Sequence, residues 1–500
     1  METLALTTLS THPAHAIGDV DPRIFGGFIE HMGRCVYEGI YDPKSAQADE
    51  FGIRRDVIGA LGELRMTAMR YPGGNFASGY RWRDGIGSAD QRPIRTELAW
   101  RSIEPNQFGT HEYLRLCEVM GWTPMITFNL GTGTPDEAIE WLEYVTRPAG
   151  TTIANERVAN GREEPWNARL WCLGNEMDGP WQLGHVPARD FGIKAQVTAK
   201  MLKDMHPTHE TVVSGSSGVT MGTYAAWDLE VLNTVGDLAD YVSLHHYVGN
   251  RNDDSASYLH ISRVIDRQIQ QTDAVCQTSA AIRKSSRRAF LCFDEWNVWY
   301  KNMHMDGEWK QAPHLIEEVY NHEDALVVAG ILLSFLRHAD VVKIANIAQV
   351  VNIIAPLLTD GDRMLVQSIF HPFRMISQRR DGTSLRVGQT GPTVPTKDYG
   401  DQPAIDSGVV LDENGKLAHL FVINRSTTDE APVQWDAQGV NLGDIVSAEI
   451  VHHSDLKATN GWETPGVVAA KPFDGLAVTP AGINLTLPPQ SFVAVTVELS

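Results

Sequence analysis

Eight short apolar runs, each followed by an amphipathic stretch, constrain this 500-residue chain more than any other feature. The runs cover 24–29 (IFGGFI), 67–72, 124–129, 169–174, 211–216, 241–246, 289–294 (AFLCFD) and 341–347. Between them the apolar spacing is helical over 53–65, 110–120, 135–146, 188–205, 224–236, 257–283 and 322–338. End signals agree: Thr110 reads as a cap with Gly121 closing its helix, and Thr134-Pro135 opens a helix whose first turn is acidic. Strand–helix alternation at this spacing means parallel βαβ units. An open doubly wound sheet would share the rhythm. The count of eight and the absence of a glycine-rich nucleotide loop favour a (β/α)8 barrel. The expected catalytic barrel spans 21–380.

Beyond about residue 380 helical periodicity stops. "HLFVINRS", "VSAEIVHH" and "INLTLPPQSFVAVTVELS" carry partial period-two alternation between Gly, Asn, Asp and Pro. They predict an antiparallel, jelly-roll-like β-sandwich over 381–500, joined by an extended strand from residues 1–20. The stretch 389–407 reads as a long polar loop near the boundary. In a barrel, functional side chains collect at the C-terminal strand ends. The ends supply Glu30 and His31; Arg70 and Asn75; Asn129; Asn175 and Glu176; His245, His246 and Tyr247; Asp294 and Glu295; and Asn346 with Gln349. Only the fifth run ends on serines and glycine alone. Large polar groups after seven of eight strands converge on one mouth.

Such a wall of amides, carboxylates and one arginine, with Trp100, Trp181 and Trp299 in the following loops, suits a sugar. Sugars have apolar C–H faces and a hydroxyl rim. Two carboxylates from separate strands, Glu176 and Glu295, point to glycoside hydrolysis. Sequence spacing leaves retaining and inverting versions open. Asp178 and Asp294 read as structural, because alternation turns Asp294 away from the face of Glu295. The same alternation separates His245 from His246 and sets His245 beside Tyr247. Trp181 reads as a packing or lid residue, ranked below Trp100 and Trp299. No H-x-x-H or Cys-His cluster appears, so neither metal nor cofactor is expected.

A net charge of −20 without a basic block excludes nucleic acid and argues against anionic substrates. The longest apolar run, 325–336, is too short to cross a bilayer and reads as a buried helix. Five unpaired cysteines and no signal-peptide pattern suggest a cytoplasmic location. Cys35 and Cys172, near the proposed site in sequence, read as packing residues.

The motifs "GNEMDGPW" and "DEWNVWY", with "IFGGFIEHMGRCVYEGIYDP" and "MRYPGGNFASGYRWRDGIG", resemble those of glycoside hydrolase family 51, the α-L-arabinofuranosidases, over nearly the whole chain. The resemblance implies an exo-acting retaining enzyme that removes terminal arabinofuranose from oligosaccharides derived from arabinoxylan or arabinan. It implies Glu176 as acid/base and Glu295 as nucleophile. Glu30, Arg70, Asn75, Asn175, Tyr247 and Gln349 would line the furanose pocket, together with His245 from the alternation argument. Trp100 and Trp299 would flank the scissile bond. Homo-oligomers, often hexamers, are also implied. The alternatives are a β-xylosidase or endo-glucanase on the same scaffold, a metal-dependent barrel isomerase or lyase, and a non-catalytic sugar-binding protein.

Overall fold

The computed structural model describes residues 3–499. Met1 and Glu2, at the start of the expected N-terminal strand, lie outside the described residues. Eight parallel strands close into a barrel in chain order: β1 (Gly26–Phe28), β2 (Ala68–Tyr71), β3 (Thr123–Phe128), β4 (Leu170–Leu173), β5 (Glu210–Val213), β6 (Tyr241–Val248), β7 (Phe290–Val298) and β8 (Val342–Ala348). A helix follows each: α1 (Arg55–Glu63), α2 (Thr110–Met120), α3 (Pro135–Thr146), α4 (Ala188–Met205), α5 (Ala226–Val235), α6 (Ser262–Arg283), α7 (His322–Arg337) and α8 (Phe370–Ser377). Thr134 caps α3 by accepting from the Glu137 N–H, while Glu137 accepts from the Thr134 N–H at 2.8 Å. At α2 the expectation is corrected. Gly109 is the cap and Thr110 the first helical residue, because the Thr110 hydroxyl instead accepts from Trp141 Nε1 at 3.1 Å. Gly121 closes that helix at φ 68°, a left-handed turn that glycine adopts without strain.

Close approach explains the paired glycines of β1. A Cβ on Gly26 would lie 2.9 Å from Asn346 Oδ1, and one on Gly27 2.6 Å from Val350. Asn346 thus closes the barrel seam, donating to the Gly27 carbonyl at 2.8 Å, and stays within the barrel wall. Strand registers shift between Ser243 and His245 and again between Phe293 and Trp296. A bulge sets two residues against one on the neighbouring strand. Asp294 and Glu295 therefore both turn inward, which overturns the alternation expected for Asp294.

The C-terminal region forms a seven-stranded and a five-stranded sheet packed face to face over Val409, Leu420, Val493, Trp435 and Leu485. Thr7–Thr11 enters the five-stranded sheet, and Ala16–Asp19 enters the other. Thr7–Thr11 runs parallel to Ala431–Ala437, so the sandwich is not wholly antiparallel. The expected loop 389–407 is instead largely a hairpin, Thr393–Thr396 against Gly400–Pro403. Every residue of α7 from His322 to Leu336 is buried, because the helix is clasped between barrel and sandwich. No helix among the described residues is long and apolar enough to cross a membrane. All five cysteines are free and buried.

An ion cluster joins the two regions at α7. Asp406 of the sandwich accepts from Arg337 at 2.7 Å and from Arg425, which also donates to Ser262 on α6 at 2.9 Å. Removing one member of a buried ion cluster leaves charge uncompensated. Asp406→Ala is predicted to destabilise the fold by about 3–5 kcal/mol, read as a lowered thermal unfolding midpoint. Asp401→Ala, at an exposed position nearby in sequence, should leave the midpoint in place.

Candidate active site

The strand ends assemble two carboxylates with different surroundings. Glu295, on β7, accepts from an Arg70 guanidinium nitrogen at 2.6 Å through Oε1, and from the Tyr247 hydroxyl at 2.8 Å through Oε2. Glu176 lies just beyond β4, where Gly174 at φ 81° and Glu176 itself at φ 44° turn the backbone. Its Oε1 faces His245 Nδ1 at 2.8 Å, and its Oε2 accepts from Trp181 Nε1 at 2.7 Å. One oxygen of each carboxylate and a ring nitrogen of His245 lie within 4.8 Å of one another. Carboxyl pairs stand about 5–5.5 Å apart in retaining glycosidases and about 6.5–9.5 Å apart in inverting ones, and two carboxylates this close leave less room between them than the inverting arrangement needs.

Behind this pair lies a charge cluster. Arg70 is fully buried; besides Glu295 it meets Asp294 at 3.1 Å and Asn175 Oδ1 at 2.5 Å. The last bond fixes the Asn175 amide, leaving its nitrogen 3.5 Å from Asn75 Oδ1. Ser243 accepts from His245 Nε2 at 3.1 Å and donates to Asp294 at 2.5 Å. Burial opposes charge on His245, but Glu295, Asp294 and Glu176 outweigh it and hold the ring protonated, well above the ordinary imidazole range. Burial would raise Asp294, yet Arg70 and His245 hold it below the usual carboxylate range. Glu176 is raised by burial and by Glu295, against the pull of His245. Burial and Glu295 keep the Tyr247 hydroxyl protonated, its titration pushed well up.

A cavity of about 430 Å³ opens onto both carboxylates. Of the sequence-predicted residues, Glu30, Asn75, Trp100, Glu176, Tyr247, Glu295, Trp299 and Gln349 line it. Arg70, Asn175 and His245 lie deeper and bond the lining groups: Arg70 holds Glu295 and Asn175, Asn175 stands beside Asn75, and His245 faces Glu176. Glu30 and Gln349 pair reciprocally: Gln349 Nε2 donates to Glu30 Oε2 at 3.1 Å, and the Glu30 N–H donates to Gln349 Oε1 at 3.2 Å. Burial and the charge of Glu295 push Glu30 up to about 8. Asn129, Asn346 and His31 do not join the site. Asn129 holds the Tyr80 and Thr132 turns, and His31 lies between Glu104 and Tyr71 at 2.9 and 3.0 Å.

Several lining residues were not legible as such. Trp181, half-exposed, lines the cavity and bonds Glu176 directly; its signal was its place five residues after that glutamate in one loop. Leu98, Leu183, Met305, Ile316 and Ile354 come from long loops with no strand-end pattern. Two buried carboxylates support the tryptophan walls. Glu97 accepts from the Ala99 and Trp100 N–H groups at 2.6 and 2.7 Å. Glu318 accepts from the N–H groups of Tyr300, Lys301 and Asn302 at 2.7, 2.8 and 2.6 Å, just past Trp299.

Glu176, His245 and Glu295 would supply three ligands to a metal ion. The donor set fits one poorly. Arg70 already neutralises Glu295, and His245 is held protonated, with its two ring nitrogens turned to Glu176 and Ser243. A larger cavity, about 620 Å³, lies at the junction of barrel and sandwich, away from any strand-end carboxylate pair.

Comparison with known proteins agrees with this geometry. Residues 60–264 match the α-L-arabinofuranosidase 1 domain and residues 294–491 the α-L-arabinofuranosidase C-terminal domain. An intracellular exo-α-(1→5)-L-arabinofuranosidase from Halalkalibacterium halodurans is 40% identical over 457 residues, covering 91% of each chain. An exo-α-(1→6)-L-arabinofuranosidase from Bifidobacterium longum is 40% identical over 502 residues, covering 96% of this chain and 95% of its own. Among solved structures, a family 51 α-L-arabinofuranosidase from Bifidobacterium longum superposes with a TM-score of 0.94 at 35% identity, covering 98% of this chain and 99% of its own. An arabinose complex of the Thermotoga maritima α-L-arabinofuranosidase gives 0.89 at 30% identity, with 98% and 100% covered. The chain belongs to glycoside hydrolase family 51, the α-L-arabinofuranosidases.

Proposed function

We propose that this protein is a retaining, exo-acting α-L-arabinofuranosidase that releases terminal non-reducing α-L-arabinofuranosyl residues from arabinoxylan- or arabinan-derived oligosaccharides. The observation that carries the reading is the pair Glu176 and Glu295, within 4.8 Å at one cavity but in contrasting electrostatic settings. The relatives named for 1→5 and 1→6 linkages share the arabinofuranosyl end, so the sugar and not the linkage is the common element. A cytoplasmic location and homo-oligomeric assembly, hexameric by resemblance, belong to the same reading; relatives are named intracellular, and the free cysteines fit a reducing compartment.

In this mechanism Glu295 attacks the anomeric carbon while Glu176 gives its proton to the departing oxygen, leaving a glycosyl ester and a carboxylate at Glu176. Esterification removes the charge of Glu295. The repulsion that raised Glu176 is then gone, and it can take a proton from water as that water attacks the ester. Arg70 and Tyr247 hold the nucleophile's two oxygens in place. Asn175, fixed by Arg70, would turn its amide nitrogen to the sugar 2-hydroxyl, an interaction that strengthens in the oxocarbenium-like transition state. Glu30, Asn75 and Gln349 would grip the remaining hydroxyls, with Trp100 and Trp299 against the leaving group.

Position matters as much as identity here. A Cβ on Gly74 would lie 2.8 Å from Glu295 Oε1, an oxygen already pinned by Arg70. Gly74→Ala should lower kcat by about 100-fold, as misplacement near 1 Å does, with little change in thermal stability. Glu295→Ala should abolish hydrolysis. Glu176→Ala on a nitrophenyl arabinofuranoside should regain turnover with azide and yield a glycosyl azide; absence of that product would remove Glu176 from the acid/base role. NMR of the first-formed arabinose should show the starting anomeric configuration. Much faster release from a nitrophenyl xyloside would favour the β-xylosidase alternative.

A further inference from the structure

The loop after β4 folds back on itself. The Gly179 N–H donates to the Glu176 carbonyl at 2.8 Å, and the Gln182 N–H to the Gly179 carbonyl at 3.0 Å. These two turns return the Trp181 indole to Glu176 Oε2. The return path runs over Gly179. A Cβ there would lie 2.5 Å from Trp181 Cε2 and 2.9 Å from its Nε1. Gly179 is not at a positive φ, so what the position requires is the missing side chain and not backbone freedom.

The two oxygens of Glu176 are therefore unequal. Oε1 is engaged by buried His245, inside the barrel wall, and is unavailable to a ligand. Oε2 is engaged only by Trp181, which is 51% exposed and lines the cavity. An arriving glycosidic oxygen can meet only Oε2, and it must take the place of the indole N–H.

We propose that Trp181 is a positioning residue for the acid/base: its indole N–H stands in for the leaving-group oxygen at Glu176 Oε2 in the free enzyme and yields that position when substrate binds. This rests on Glu176 being the acid/base. The N–H donates more strongly to a charged carboxylate oxygen than to either oxygen of the neutral acid, so it favours the carboxylate over the acid. The other groups facing Glu176 are His245 and Tyr247 from β6 and Glu295 from β7, with Arg70 from β2 behind Glu295. Among the described residues, only Trp181 both bonds the Glu176 side chain and lines the cavity.

The sign follows. Stabilising the carboxylate lowers the pH at which the free enzyme loses its acid. Trp181→Phe keeps the aromatic wall and removes the donor, so the alkaline limb of kcat/KM should move up by about 0.5–1 pH unit. Gly179→Ala, which displaces the indole without touching a catalytic group, should move it the same way. The shift should be seen with an arabino-oligosaccharide, whose departing oxygen needs a proton, and be weak with a dinitrophenyl arabinofuranoside, whose leaving group does not. Equal loss of kcat/KM at every pH, with the limb unmoved in both variants, would reduce Trp181 to a wall. Azide rescue of Glu176→Ala separates the two ideas. With rescue intact and the limb unmoved, this inference alone fails; with no glycosyl azide formed, the acid/base reading fails first. Trp181 is half-exposed, so the phenylalanine variant should fold.

Discussion

A fully buried guanidinium organises this molecule. Arg70 sits inside the barrel mouth, where an unpaired cation would be strongly disfavoured. It is tolerated because two other strands bring it acceptors: Asp294 and Glu295 from β7, and Asn175 just past the end of β4. The requirement runs both ways. Asp294 and Glu295 are buried carboxylates that would themselves be disfavoured without Arg70 and His245. Apolar runs in this chain therefore end on clusters of polar residues, because each supplies part of a charge set that only the closed barrel completes. The bulge in β7 belongs to the same constraint, since it turns consecutive acids toward one cation.

The cluster also sets two glutamates apart. Glu295 receives donors from a cation and a hydroxyl, whereas Glu176 receives them from His245 and an indole and feels Glu295 across the gap. Asp294 is the silent member of the set. By holding His245 protonated through direct contact and Ser243, it keeps a donor fixed on Glu176 without meeting the cavity. Glu30 occupies the opposite setting: burial and the nearby Glu295 push it up to about 8, against the Phe76 N–H and the Trp100 indole that donate to its Oε1.

The barrel was legible because its signals are local and repeated. Apolar runs, helical spacing and the Thr134 cap each report on a few neighbouring residues, and eight repetitions leave few folds to choose from. The residues at strand ends were legible for the same reason. What escaped was set by tertiary context. Nothing near Asp294 announces that β7 shifts register, so alternation sent its side chain the wrong way. Glu97 and Glu318 look like surface acids in a sequence; their roles come from backbone N–H groups whose directions depend on loop geometry. The segment 389–407 was too polar and too rich in turn residues to read as a hairpin, although Pro395 and Pro403 are tolerated in a short edge pairing. Depth of burial was equally hidden, since nothing in the sequence separates Arg70 and Asn175 from the shallower Asn75.

Glycines connect the legible part to the hidden part. "PGGN" and "MDGPW" invite reading as flexible turns, yet the positions that matter are defined by space. Gly73 clears Glu30, with a Cβ falling 2.8 Å from its Cγ, while Gly74 clears Glu295 and Gly179 clears Trp181. Each glycine lets a loop backbone or an aromatic ring lie directly against a functional group, at distances no other residue permits. A site built from carboxylates held by hydrogen bonds tolerates little displacement, because donor and acceptor must stay near 2.7–3.2 Å to count. The glycines are thus part of the electrostatics: they fix how closely backbone and indole donors approach the acids, and through that distance how readily each acid keeps its proton.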